Sequence, residues 1–176
     1  MKNKIIAWSR KEYTFEQRIL SLLPEAIFFI IILPYALFLL SSWIDKFFSF
    51  PSFSCLINAF IGSFMVILGI FFSGWSILTL FGKGKGTPSP VMATQKLVKE
   101  KPYSYCRNPM AFGNFIFYIG IAIIAGSLSF IILVILFSLL HLAYIKKVEE
   151  KELEERFGKE YEKYKSSTPF FLPIKR

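Results

Sequence analysis

Two short polar clusters in an otherwise apolar chain have residue types and spacings suited to chemistry. The first is Tyr103, Arg107, Asn108 and Pro109, within seven residues of the polar stretch 82–110, GKGKGTPSPVMATQKLVKEKPYSYCRNPM. Pro109 suits the first turn of a helix and Asn108 the cap before it. A helix starting there aims unpaired backbone N–H groups at one place, next to the Arg107 guanidinium. That is a setting for a carboxylate or a phosphate. Arg107 reads equally well as a basic anchor at the end of a membrane span. The second cluster is the acid pair Glu149–Glu150, a few residues beyond a long apolar run. Beside a membrane surface two carboxylates could face a cation, although such pairs are commonly solvated helix faces. His141, near the end of the same run, reads as a packed or hydrogen-bonded residue before it reads as a base. Gly82, Gly84 and Gly86 leave room for a backbone to approach a ligand, or make a flexible exit from a helix. GKGKG lacks the Gly-Lys-Ser/Thr ending of a phosphate loop.

The elements that must position these residues are membrane helices. Of the 176 residues 54% are hydrophobic and 21 are Phe, too apolar for a soluble domain of this length. Runs near 20 apolar residues read as transmembrane helices. One spans residues 24–43, with Glu25 at its edge, and a charge-free one spans residues 55–81. Residues 111–145 form a third block with no charge other than a possible one at His141. That block is long for one span, and Gly126-Ser127 near its middle predicts a tight hairpin of two short helices. The expected fold is therefore all-α: a polytopic membrane protein of about four transmembrane helices, in a single domain over residues 1–176. A secretory signal peptide does not fit the first run, because 23 residues with five basic ones precede it and no small-residue cleavage site follows.

Charge placement orients the chain. Of 21 Lys and Arg residues, five precede the first run, one lies between the first two, six lie in the polar stretch and nine follow residue 145. The Gly126 turn has none. Alternate loops are basic, which predicts both termini and the polar stretch on the cytoplasmic side. The net charge of +9 is explained this way without nucleic acid, since no basic face carries stacking aromatics outside the spans. Two cysteines and one histidine make a zinc site improbable, and Cys55 and Cys106 are not expected to pair.

The ends are amphipathic. Residues 1–23 mix basic residues with Ile5, Ile6, Trp8, Tyr13 and Phe15, as a segment lying on the membrane surface would. In the tail, Leu153, Phe157, Tyr161 and Tyr164 share one helical face, and Gly158 marks a break.

Together these pieces resemble the membrane-embedded methyltransferases, which include isoprenylcysteine carboxyl methyltransferase and the phospholipid methyltransferases. GKGTPSP followed by LVKEKPYSYCRNPM is similar to that family's loop, and EEKELEERFGKEYEKY to its tail. The resemblance covers residues 84–173, so residues 82–176 form the matching half and residues 1–81 the N-terminal helices. It implies S-adenosylmethionine as methyl donor and a lipophilic acceptor drawn from the bilayer, with no metal. The acceptor would be a carboxylate such as isoprenylcysteine or a phospholipid amine. By the same resemblance Gln95, Lys96, Leu97, Val98, Tyr103, Asn108, Pro109, Met110, Ala111, Glu149 and Glu150 would hold the cofactor. Arg107 and Glu150 would serve catalysis. Lys101 stands where the family usually has Gly, Ala111 where an aromatic is common, Asn108 where eukaryotic members have His, and Phe170 where many have Arg. An NADPH-dependent reductase of the sterol reductase type and a non-enzymatic membrane subunit are the alternative readings.

Overall fold

The computed structural model describes residues 13–53, 55–88 and 92–173, which contain helices and no strand. Helix α1 (Phe15–Ile27) opens with a reciprocal cap: Gln17 N–H donates to the Thr14 hydroxyl and Thr14 N–H to the Gln17 side chain. It runs on through a π-helical turn, Phe28–Ile32, into α2 (Leu33–Phe48), making a helix of 34 residues. The surface segment expected at the N terminus is therefore not separate after Thr14, because its described part forms the first turns of this helix. Residues 1–12 lie outside the described residues. Helix α3 (Leu56–Lys83) has 28 residues.

The hairpin expected at Gly126-Ser127 is present. Helix α4 (Pro109–Ala125) ends at Gly126 in the left-handed region, with φ 62°, which glycine adopts without steric cost. Ser127 then caps α5 (Leu128–Tyr144) by accepting a hydrogen bond from Phe130 N–H. Ser127 also donates to Asp45, which ties the hairpin to the end of α2. A second π-helical turn, Ile145–Glu149, joins α5 to α6 (Glu150–Phe157). Gly158, at φ 52°, breaks the helix as expected, and α7 (Lys159–Ser167) follows.

Among the described residues three continuous helices are long and apolar enough to cross a membrane: Phe15–Phe48, Leu56–Lys83 and Leu128–Phe157. Helix α4 is apolar and shorter. The apolar part of Leu128–Phe157 ends at Ile145, and from Lys146 on the helix is rich in charge. Outward side chains such as Phe60, Ile67 and Leu140 are exposed, as lipid-facing surfaces are.

Helices α3 and α4 pack with backbones touching. A Cβ on Gly69 would lie 2.5 Å from Phe117 N, and one on Gly113 would lie 2.5 Å from Ser73 Oγ. Small residues permit this approach where lipid supplies no hydrophobic drive between helices. The core of Phe117, Tyr118, Ala122, Phe130 and Val134 lies alongside. Tyr118 hydroxyl crosses it to donate to the Phe29 carbonyl in the first π-helical turn, at 2.8 Å.

Candidate cofactor site

At the polar end of the bundle the tail folds back over the start of α4. Arg107 N–H donates to the Pro169 carbonyl and Asn108 Nδ2 to the Phe170 carbonyl, each at 2.9 Å. The Arg107 guanidinium lies 5.5 Å from the Phe170 ring centre. Tyr164 hydroxyl donates to the Tyr103 carbonyl at 2.7 Å. The loop is held from its other side by Arg156, which donates to the Thr94 carbonyl. Asn108 occupies the cap position of α4, but its side chain makes no capping bond. It fastens the tail instead.

Between these parts lies a cavity of about 190 Å³. Its floor is the start of α4, with Asn108, Pro109, Met110 and Ala111. The N–H groups of Met110 and Ala111 belong to the first helical turn and have no partner within the helix. Tyr103, Arg107 and Thr87 add to the wall from the loop. Glu149, Glu152, Leu153 and Arg156 face in from the opposite helix, one or two turns apart. His141 and Ile145 continue that wall toward the membrane. His141 is also stacked between Phe29 and Phe137, the packed role expected of it.

The two acids of the pair separate. Glu149 lines the cavity, and among the described residues its carboxylate has no hydrogen-bond or ion-pair partner. Burial, and then the charge of Glu152, push its carboxyl up to about 7. Glu150 does not line the cavity. Its side chain is 3% exposed, with Arg107 Nη1 at 2.9 Å and Lys165 Nζ at 3.2 Å. Tyr161 hydroxyl donates to it at 3.2 Å. Glu150 thus sits behind the wall and reaches the cavity only through Arg107. The ion pair leaves Arg107 hydrogen-bonding capacity unused: Nε and Nη1 are buried without a well-aligned acceptor.

Gln95, Lys96, Leu97 and Val98 also differ from expectation, since other residues form the walls of this cavity. Gln95 and Lys96 N–H groups both donate to the Gly84 carbonyl, and Val98 is buried against Gly84. A Cβ on Gly86 would collide with the backbone of Ala93 and Thr94. Gly84 and Gly86 therefore serve loop packing, while a Cβ on Gly82 would meet open space. Gln95 lines a neighbouring hollow with Arg18 and Lys85, and Lys96 is exposed. Ser89 and Pro90 of the loop motif lie outside the described residues. Cys55 and Cys106 are both free thiols, the second buried. Among the described residues no three His, Cys, Asp or Glu side chains converge as metal ligands would.

Residues 57–160 match the model of the phospholipid methyltransferase family. The chain belongs to that family. The match begins inside α3, ahead of the loop motif, and stops before the tail segment that covers Arg107 and Asn108. Neither the curated proteins nor the solved structures hold a match to the chain. Family and apolar helices together make this phospholipid methyltransferase family member an integral membrane protein and a methyltransferase. Thr87, Glu152 and Arg156 lie inside the loop and tail motifs, but the resemblance assigns them no role. Glu149, Glu152 and Arg156 recur at helical spacing, the one signal that could have found the last two.

Proposed function

We propose that this protein transfers a methyl group from S-adenosylmethionine to a lipophilic acceptor, at the cytoplasmic face of the membrane. The observation that carries this reading is the donor set of the cavity. Glu149, whose carboxylate has no partner among the described residues, faces the start of α4 across a space walled elsewhere by Met110, Ala111, Ile145 and Leu153. These residues fit the cofactor's chemistry: Glu149 suits its ammonium or sulfonium, and the N–H groups of Met110 and Ala111 and the free face of Arg107 suit its carboxylate. When bound, S-adenosylmethionine supplies a methyl group on an electron-poor sulfur.

The protein's own part is placement. Arg107, held by Glu150, and the tail, held by Asn108, keep the start of α4 and the acidic wall in register. Holding two reactants in line supplies much of the acceleration in a displacement of this kind. Tyr103 stays a neutral hydrogen-bond donor, since burial first and Tyr164 second push its phenol well above the ordinary range. An acceptor that arrives as an ammonium must first lose a proton, and Glu149 is the wall carboxylate whose affinity for a proton suits that task at neutral pH.

Isothermal titration of the detergent-purified protein tests the reading. Saturable binding of S-adenosylmethionine, with none of NADPH, is expected. Binding of NADPH alone would favour the reductase, and binding of neither would favour a non-enzymatic subunit. The proposed orientation places both termini and the loop in the cytosol. A cysteine introduced at Ser49 should then react with an impermeant reagent added outside, and one at Lys85 should not. The opposite pattern would invert the topology.

A further inference from the structure

A separate hollow, of about 460 Å³, lies where α1 begins and α3 ends. It shares no lining residue with the candidate cofactor cavity. Helix α1 contributes Phe15 and Arg18, α3 contributes Phe81, and the loop contributes Lys85 and Gln95. Two basic residues thus line one space, and no carboxylate lines it with them. Among the described residues neither Arg18 nor Lys85 makes an ion pair.

Arg18 is fixed in place without being neutralised. Its guanidinium lies 4.7 Å from the Phe81 ring centre, and Nη1 donates to the Phe81 carbonyl at 3.0 Å. The Phe15 ring packs edge-on against the same Phe81 ring, at 5.3 Å. Nε is buried without an acceptor, and among the described residues Nη2 has none either. Nε and Nη2 form the edge of the fork that meets an oxyanion through two parallel hydrogen bonds. Lys85 stands between Gly84 and Gly86 with φ at 52°, in the left-handed region. Glycine would adopt that backbone at no steric cost. What lysine adds there is a charge beside the hollow.

The hollow also borders an apolar surface. One turn further into the bundle, Ile19 on α1 and Leu78 on α3 are both exposed. A ligand that suits both parts carries a phosphate at one end and hydrocarbon at the other. We propose that Arg18 and Lys85 form a binding site for the phosphate of an anionic membrane lipid. The free edge of Arg18 and the Lys85 ammonium hold the phosphate, and the acyl chains run past Ile19 and Leu78. Basic residues at a membrane surface attract anionic headgroups. The same two charges repel the ammonium of a zwitterionic lipid, so the occupant is a lipid with a net negative headgroup. Bound there, it ties α1 to the start of the loop, two residues before Thr87 enters the wall of the candidate cofactor cavity. The site is independent of the methyl-transfer reading.

Native mass spectrometry of the full chain in detergent tests the site by lipid retention. The probes are dioleoyl phosphatidylglycerol and dioleoyl phosphatidylcholine, which share their chains and a phosphodiester but differ in net charge. Wild type should prefer the anionic lipid by about tenfold or more, as two basic residues at one headgroup imply. Arg18→Gln should erase most of the preference, and Arg18→Lys should keep part of it. Lys85→Gly relieves the backbone, so this variant should unfold no earlier than wild type while losing most of the preference. It decides the matter if Arg18→Gln does not fold. Lys151→Gln, an exposed basic residue on α6, should change nothing. Equal retention of the two lipids by wild type would overturn the site, and so would a preference that survives both Arg18→Gln and Lys85→Gly. A loss at Lys151→Gln as large as at Lys85→Gly would reduce the effect to diffuse surface charge and overturn it too. Glycerol 3-phosphate at the lipid's concentration should displace none of it; displacement would assign the hollow to soluble phosphate esters instead. Competition by S-adenosylmethionine would merge the hollow with the candidate cofactor site and end the proposal.

Discussion

Glu149 and Glu150 are neighbours in sequence with opposite surroundings. Glu149 faces a cavity and has no partner among the described residues, whereas Glu150 is buried behind the wall with Arg107, Tyr161 and Lys165 around it. Successive residues on a helix point about 100° apart, so one acid of the pair must turn away from whatever the other faces. The difference teaches that the motif contains two functions. One carboxylate is open to the cavity, and the other fixes the arginine of the cavity wall. Treating the pair as a single acidic site would miss this.

The largest expected effect is at the buried partner. Glu150→Ala leaves Arg107, with a side chain 9% exposed, and Lys165 without their shared counter-charge. Removing one member of a buried ion pair costs roughly 3–5 kcal/mol, so thermal unfolding in detergent should shift down sharply. A variant as stable as wild type would mean that Glu150 does not hold the tail.

At Glu149 the loss should fall on binding instead. Glu149→Gln should weaken S-adenosylmethionine about tenfold, near 1.4 kcal/mol, while raising the stability of the ligand-free protein above neutral pH. The sign follows from the carboxyl being raised from 4.5 to about 7 on folding. Between those values the folded state keeps a proton that the unfolded state gives up. That contribution is whole below the unfolded value and is lost as pH rises through 7. Wild type should therefore lose stability from pH 6 to pH 8 relative to Glu149→Gln, by at most about 1.4 kcal/mol and less for its partial exposure. Over the same interval its affinity for a cationic ligand should rise. Identical pH profiles for the two proteins would contradict the assignment.

Smaller effects separate the tail's fastening from ordinary surface charge. Asn108→Ala should cost about 1 kcal/mol by leaving the Phe170 carbonyl without its donor. Glu154→Gln is the control: Glu154 pairs with Lys165 at 2.7 Å, but both side chains are more than a third exposed. Such pairs contribute at most about 1 kcal/mol, and unfolding should scarcely move. A Glu154 effect as large as that of Glu150 would erase the distinction between the two carboxylates.

Much of this architecture was legible in the sequence because it is local. Lengths of apolar run predicted the spans, Gly126-Ser127 the hairpin and Gly158 the break, since each follows from a helix period or a backbone angle within a few residues. The cavity-lining set Tyr103, Arg107 and Asn108 to Ala111 was reached through its motif. Three things were decided only by tertiary structure. The Ile145–Glu149 π-helical turn adds a residue to the helix and so chooses which glutamate faces inward. The returning tail claims the Asn108 side chain that a cap would have used. Gln95 to Val98 pack on Gly84 because the loop closes on itself, which no spacing along the chain encodes. Helical periodicity reports which residues share a face, but which face meets which cavity depends on contacts made across the whole chain.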